Sequence, residues 1–163
     1  MVGHEAPIRV RRDSAWNVPE PEMTLVINCE REIVGYCAGN DVSSRSIEGE
    51  NPLSLPQAKV FNGCCALGPG IRLVDPPALA DLPIHLRIVR QGMAAFEGDT
   101  RTSKINRALS SLVDYLFMET AFPSGVFLMT GTGIVPPESF SLSPGDTVRI
   151  TIGELTLENV VGV

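Results

Sequence analysis

The sequence predicts a mainly β domain of the α+β class, an irregular mixed sheet of roll or sandwich type carrying one main helix. Three observations lead there. Short runs alternate apolar and charged residues, as in Ile84-His-Leu-Arg-Ile-Val-Arg90, the period-2 signature of a half-buried strand. Turn-forming residues punctuate those runs throughout, with 15 glycines and 13 prolines in 163 residues. Only one stretch, from Lys104 to about Glu119, repeats apolar residues at spacings of three and four.

Taken in order, Met23–Asn28 and Glu32–Cys37 read as two strands of a hairpin joined by Cys29-Glu30-Arg31. Pro19 and Pro21 cannot donate to a ladder, so the residues around Glu20 belong to the start of a strand or to a sheet edge. After Asp41 the run Val-Ser-Ser-Arg-Ser-Ile-Glu reads as a helical turn, and Gly49–Pro56 as a loop. Ile84–Arg90 is a strand with Met93–Glu97 as its hairpin partner. In the helix, Ile105, Leu109, Leu112, Val113, Leu116 and Phe117 form one apolar stripe, with Ser103 as N-cap and Phe122-Pro-Ser-Gly125 as stop. Gly125–Gly133 is a buried strand running into a glycine turn. Ser143-Pro-Gly-Asp146 is a turn into strand Thr147–Ile152, and Leu155–Val160 closes the sheet. The absence of an internal repeat or linker makes residues 1–163 one expected domain.

Composition excludes several classes of function. A net charge of −6 and a pI near 4.9 argue against a general phosphate-backbone binder. The one basic cluster, Arg9, Arg11 and Arg12, reads as a solvated strand face. No run approaches the ~20 apolar residues of a membrane span, and no signal-peptide core opens the chain, so the expected setting is cytosolic, without membrane or nucleic-acid partner. Cys29, Cys37, Cys64 and Cys65 lack the Cys-x-x-Cys spacing of a structural zinc site and read as reduced, mostly buried small hydrophobes. His4 and His85 lie away in sequence from Glu20, Glu22 and Asp41, which leaves little support for histidine-based catalysis.

Chemistry concentrates elsewhere. Glu20 and Glu22 are spaced i, i+2 and point the same way on an extended segment, with Cα atoms about 7 Å apart. The hairpin that follows returns Asp41 to the same end. Three carboxylates without histidine or thiol make a hard, oxygen-only site, suited to Mg²⁺ and also to Mn²⁺ or Ca²⁺. Lys59 follows in sequence and has a chemical role beside such an ion.

Ordered motifs then resemble a known family. The runs Asp13-Ser-Ala-Trp-Asn-Val-Pro-Glu-Pro-Glu22, Ile33-Val-Gly-Tyr, Gly39-Asn-Asp-Val-Ser-Ser-Arg45, Gln57-Ala-Lys-Val-Phe, Leu67-Gly-Pro, Thr130-Gly-Thr-Gly133 and Pro144-Gly-Asp146 look like the fumarylacetoacetate hydrolase family, across almost the whole chain. The short hairpin before Asp41 and the phrase Ile47–Lys59 resemble its sugar-acid branch, the 2-keto-3-deoxy-pentonate dehydratases. The resemblance implies a fumarylacetoacetate-hydrolase-like fold, Glu20, Glu22 and Asp41 as metal ligands, and Lys59 as catalytic residue. It further implies Arg45, Glu48, Gly131 and Thr132 as substrate-binding positions, and a homodimer or homotetramer. Only nineteen residues precede Glu20, so the chain is expected to represent the C-terminal catalytic domain without the family's N-terminal region.

The expected substrate is a small 2-oxo acid, whose carboxylate and keto oxygen lie in one plane and chelate one cation. Polarising the ketone lets a C3 proton leave to a metal-stabilised enolate, with Lys59 as base, after which the C4 hydroxyl departs as water. A 2-keto-3-deoxy-pentonate would give 2,5-dioxopentanoate, so the first reading is a hydro-lyase. An acylpyruvate or fumarylacetoacetate type C–C bond hydrolase uses the same metal logic, with water attacking a distal carbonyl. A third reading is a truncated member that binds metal or 2-oxo acids without turnover.

Overall fold

The computed structural model describes residues 1–162. In chain order it contains β1 (Asn17–Val18), β2 (Pro21–Ile27), β3 (Ile33–Asp41), β4 (Ser43–Ser44), α1 (Arg45–Glu50), α2 (Leu55–Lys59), β5 (Cys65–Leu67), β6 (Arg72–Leu73), β7 (Pro83–Arg90), β8 (Met93–Arg101), α3 (Leu109–Leu116), β9 (Val126–Met129), β10 (Thr147–Ile152) and β11 (Leu155–Val160). The strands form two antiparallel sheets. One has the order β5-β3-β2-β9, with β6 also on β3, and the other has the order β11-β10-β7-β8. A separate two-residue ribbon pairs β1 with β4.

Side-chain alternation assembles these sheets into one core. In the second sheet Ile84, Leu86 and Ile88 of β7 and Val148, Ile150 and Ile152 of β10 are buried, while Arg87 and Arg149 between them face solvent. In the first, Met23, Leu25 and Ile27 of β2 join Tyr36 and Ala38 of β3 in the same hydrophobic cluster. Tyr36 ties the sheets together, its hydroxyl donating to the carbonyl of Ile152 at 3.3 Å. The alternate positions of β2, Glu22 and Thr24, therefore lie on the opposite face of the first sheet. That face carries the functional residues.

The hairpin β2–β3 forms where the alternation predicts it. Its turn is held by Asn28, whose Oδ1 accepts from the backbone N–H groups of Glu30 and Glu32 at 3.0 and 2.8 Å. Arg31 adopts φ 70° there. Exposed Cys29 sits in that turn, so it is not one of the buried small hydrophobes expected; Cys37 and Cys64 are buried, and all four thiols are free. The Arg9–Arg12 cluster lies on an irregular segment rather than a strand face, because the N-terminal segment makes only single bridges, Val2 to Ala66 and Ile8 to Val161.

Two expectations about helices are corrected. The main helix begins at Leu109, after Ala108, instead of at Lys104 with Ser103 as N-cap. Thr102 explains the delay: its hydroxyl donates to the carbonyl of Leu79 at 2.7 Å and accepts from the N–H of Leu82 at 2.8 Å. This pins a single 3₁₀ turn over Thr102–Lys104, after which Ile105 is extended, with ψ 118°. Ile105 keeps its four-residue spacing to Leu109 without sharing its helix. The second correction concerns Gly49–Pro56, expected as a loop. There α1 runs to Glu50, Asn51 Oδ1 caps a 3₁₀ turn over Pro52–Ser54, and α2 follows directly. Both prolines sit at helix starts, where a missing N–H costs nothing.

Candidate metal centre

Glu20 immediately precedes β2, Glu22 is its second residue, and Asp41 ends β3. Register explains their meeting. Glu22 lies opposite Gly39, and Pro21 opposite Asn40, so the far end of β3 arrives beside the start of β2. The N–H of Asp41 donates to the carbonyl of Glu20 at 3.0 Å, which fixes the third carboxylate against the first. One oxygen from each of Glu20, Glu22 and Asp41 lies within 4.8 Å of the others. Glu20 and Glu22 are only 5% and 4% exposed. Gly39, between the two ligand-bearing positions, has no room for a Cβ, which would press on Thr24 Oγ1, the Met129 methyl group and the carbonyl of Glu22.

Lys59 reaches this cluster from the last turn of α2. Its Nζ lies 2.5 Å from Glu20 Oε2 and 2.9 Å from Asp41 Oδ2, and it donates to Ser43 Oγ at 2.5 Å. Burial works against the ammonium, but its hydrogen bonds to Glu20 and Asp41 and their negative charge outweigh that and raise its pKa. Among the carboxylates alone Lys59 is therefore an ion-pair partner, whereas the sequence reading has it neutral beside a cation.

Glu22 has a different environment. Burial pushes its carboxyl up to about 7, helped by Asp41 and Glu20 and opposed by the Gly131 amide and Lys59. The Gly131 N–H donates to Glu22 Oε2 at 2.6 Å. Gly131 takes φ 91° in the turn after β9, and Thr130 anchors that turn by donating its hydroxyl to the carbonyl of Met23 at 2.7 Å. The charge balance fits a hard dication: three carboxylates gather around one lysine, and one of the three is destabilised as an anion.

The remaining expected residues fall into two groups. Arg45, at the start of α1, has Nε 3.7 Å from Glu20 Oε1 and donates from Nη1 to Glu48 Oε2 at 3.0 Å. Its guanidinium lies 5.7 Å from the Trp16 ring centroid. Arg45 and Glu48 thus reach the cluster as a pair. Thr132 has its hydroxyl engaged locally, donating to the carbonyl of Ile134 at 3.1 Å and accepting from that residue's N–H. Sequence reasoning missed Ser43 and Trp16. Ser43 was legible as the i+2 neighbour of Asp41; Trp16 had no local signal.

The sequence matches the family model described as fumarylacetoacetate (FAA) hydrolase C-terminal over residues 1–162. It is 44% identical over 155 residues to a 2-dehydro-3-deoxy-D-arabinonate dehydratase of Saccharolobus solfataricus, covering 94% of this chain and 52% of that protein. It is 48% identical over 158 residues to a protein of Haloferax volcanii described as a probable 2-keto-3-deoxyxylonate dehydratase, covering 94% of this chain and 54% of that one. A solved 2-keto-3-deoxy-D-arabinonate dehydratase complexed with magnesium and 2,5-dioxopentanoate superposes with a TM-score of 0.94 at 43% identity, covering 98% of this chain and 58% of that one. The chain spans about half the length of the curated relatives it matches.

Proposed function

This chain belongs to the fumarylacetoacetate hydrolase family, and on that premise we propose that it is a divalent-metal-dependent dehydratase of a 2-keto-3-deoxy sugar acid, taking a pentonate to 2,5-dioxopentanoate. The observation that carries this reading is the triad Glu20, Glu22 and Asp41, one oxygen of each within 4.8 Å of the others and Glu20 and Asp41 in contact with Lys59. Identity of 44% and 48% to two dehydratases over 94% of the chain supports dehydration over C–C hydrolysis. Residues 1–163 act in this reading as one catalytic domain, and exposed Tyr115, Met118 and Phe127 supply apolar surface for a dimer or tetramer.

In the proposed reaction Glu20, Glu22 and Asp41 would hold Mg²⁺. When bound there, a divalent ion would supply Lewis-acid polarisation of the keto group of a 2-oxo acid and would offset the carboxylate charge that otherwise keeps Lys59 protonated. Lys59 Nζ then removes a proton from C3, with Ser43 Oγ orienting the amine. The bond from C4 to its hydroxyl breaks, and that oxygen leaves with a proton as water. The unsaturated keto acid isomerises as a C5 proton moves to C3, and the resulting enol becomes the C5 aldehyde. Arg45, Glu48, Gly131 and Thr132 line the substrate side.

The test incubates the protein with 2-keto-3-deoxy-pentonates and with acylpyruvates, each with and without Mg²⁺. Aldehyde formed only with metal is the expected result. Release of pyruvate would reassign the site to C–C hydrolysis. Bound metal with neither product would leave a binding protein.

A further inference from the structure

The short ribbon of β1 and β4 pairs Asn17 with Ser44 and Val18 with Ser43. One step further out, the N–H of Arg45 donates to the carbonyl of Trp16 at 2.8 Å. Alternation then sets Trp16, Val18, Ser43 and Arg45 on one face of the ribbon, the face on which Ser43 meets Lys59. The Arg45 guanidinium lies over the Trp16 ring, 5.7 Å from its centroid. Two donors here have no acceptor: Trp16 Nε1 and Arg45 Nε are both buried without a hydrogen-bond partner among the described residues. Glu20 Oε1 lies 3.7 Å from Arg45 Nε, inside ion-pair range and outside hydrogen-bond range. Stacking does not satisfy the indole N–H, because that N–H lies in the ring plane and can only donate. A buried donor left unmatched is costly, and here two of them stand on neighbouring side chains at the edge of the metal centre.

Resting on the dehydratase reading above, we propose that Trp16 is a catalytic residue whose N–H, together with Arg45 Nε, holds the C4 oxygen of the substrate as it leaves. That reading assigns the carboxylate and keto oxygen to the metal centre, so the C4 oxygen is the one that gains negative charge without an assigned partner. Position supports the pairing. Arg45 Nε and Lys59 Nζ approach the two oxygens of the same Glu20 carboxylate, Oε1 and Oε2, so an oxygen held at Arg45 stays close to the amine that works at the neighbouring C3. Groups that only donate stabilise an oxygen most when it carries charge, which is during departure. The C4–O bond breaks with its electron pair on oxygen, the proton that Lys59 took from C3 completes the water, and the amine returns to its starting state. Trp16 itself transfers no proton. Both nitrogens are covered by neighbouring atoms, so the oxygen enters as the Arg45 side chain, 28% exposed, gives way.

Trp16→Phe keeps a ring beside Arg45 and deletes the N–H. Two reactions run with Mg²⁺ separate its role from proton removal. Exchange of the C3 protons of 2-oxopentanoate in deuterium oxide, followed by NMR, needs Lys59 and the metal but has no C4 oxygen to release. Aldehyde formation from 2-keto-3-deoxy-pentonates needs that release as well. The expected result is that Trp16→Phe slows aldehyde formation about tenfold to a hundredfold more than it slows exchange, in kcat rather than KM. Trp16→His, which can place an N–H at the equivalent ring position, should recover part of the loss. Equal slowing of both reactions, no slowing at all, or loss of magnesium binding by calorimetry in Trp16→Phe would each overturn the assignment and leave the dehydratase reading standing. If the parent protein exchanges no C3 proton in a metal-dependent way, the dehydratase reading fails and the role of Trp16 with it.

Discussion

Glu22 shows how one residue can serve a site at the expense of the fold. Its pKa, raised from the usual 4.5 to about 7, means that the folded metal-free protein keeps a proton that the unfolded chain releases. Where the folded state binds more protons, stability falls as pH rises. The contribution is therefore full below about pH 4.5, is lost progressively up to about pH 7, and stays lost above it. Glu22→Gln keeps an acceptor for Gly131 and removes the charge. At pH 8 without metal it should raise unfolding free energy by about 1–3 kcal/mol and flatten the decline between pH 4.5 and 7, read by urea denaturation. Magnesium binding should vanish in the same variant. For Lys59→Ala the expectation is reversed: metal stays bound by calorimetry, while turnover drops about 10³-fold through loss of the base. Normal turnover in that variant would remove Lys59 from the mechanism.

At the level of elements, the β2–β3 hairpin is the device that builds the site, and its tolerance is small. Gly39 stands between the ligand positions, opposite Glu22, where a methyl group would press on backbone and on Met129. Gly39→Ala should cost about 1–3 kcal/mol by overpacking and weaken magnesium binding, since the neighbours that must yield carry Glu22. A variant as stable as the parent would show that this face is looser than its contacts suggest. The hairpin was legible in the sequence because alternation and a short turn are local signals. The start of α3 was not. The spacing of Ile105 to Leu109 fits a helix, but Thr102 is committed to Leu79 and Leu82, residues more than nineteen positions away whose approach no local period announces. The prolines at 52 and 56 misled for a related reason, as a proline that ends one element can open the next.

Across the whole molecule, binding at the centre and folding are linked. Magnesium that binds only the folded chain should raise its unfolding free energy by about 2.7 kcal/mol at a hundredfold excess over Kd, and by nothing measurable in Glu22→Gln. The two-sheet core sets the baseline for that gain. Leu86, fully buried between the sheets, should cost about 2–5 kcal/mol when cut to alanine, without changing which metal binds. By itself the sequence determined the longer strands, the β2–β3 hairpin and the meeting of Glu20, Glu22 and Asp41, because i, i+2 alternation and a closed hairpin bring those residues together with no help from distant chain; the short β1, β4, β5 and β6 carry too few residues to show a period. Tertiary structure alone decided the rest: the direct contacts of Lys59 Nζ with Glu20 and Asp41, the Gly131 amide that reaches Glu22 from 109 residues away, and the Thr102 contacts that delay α3. Those contacts join segments whose separation is set by the packing of one sheet on the other, and packing of that kind leaves no period in the chain.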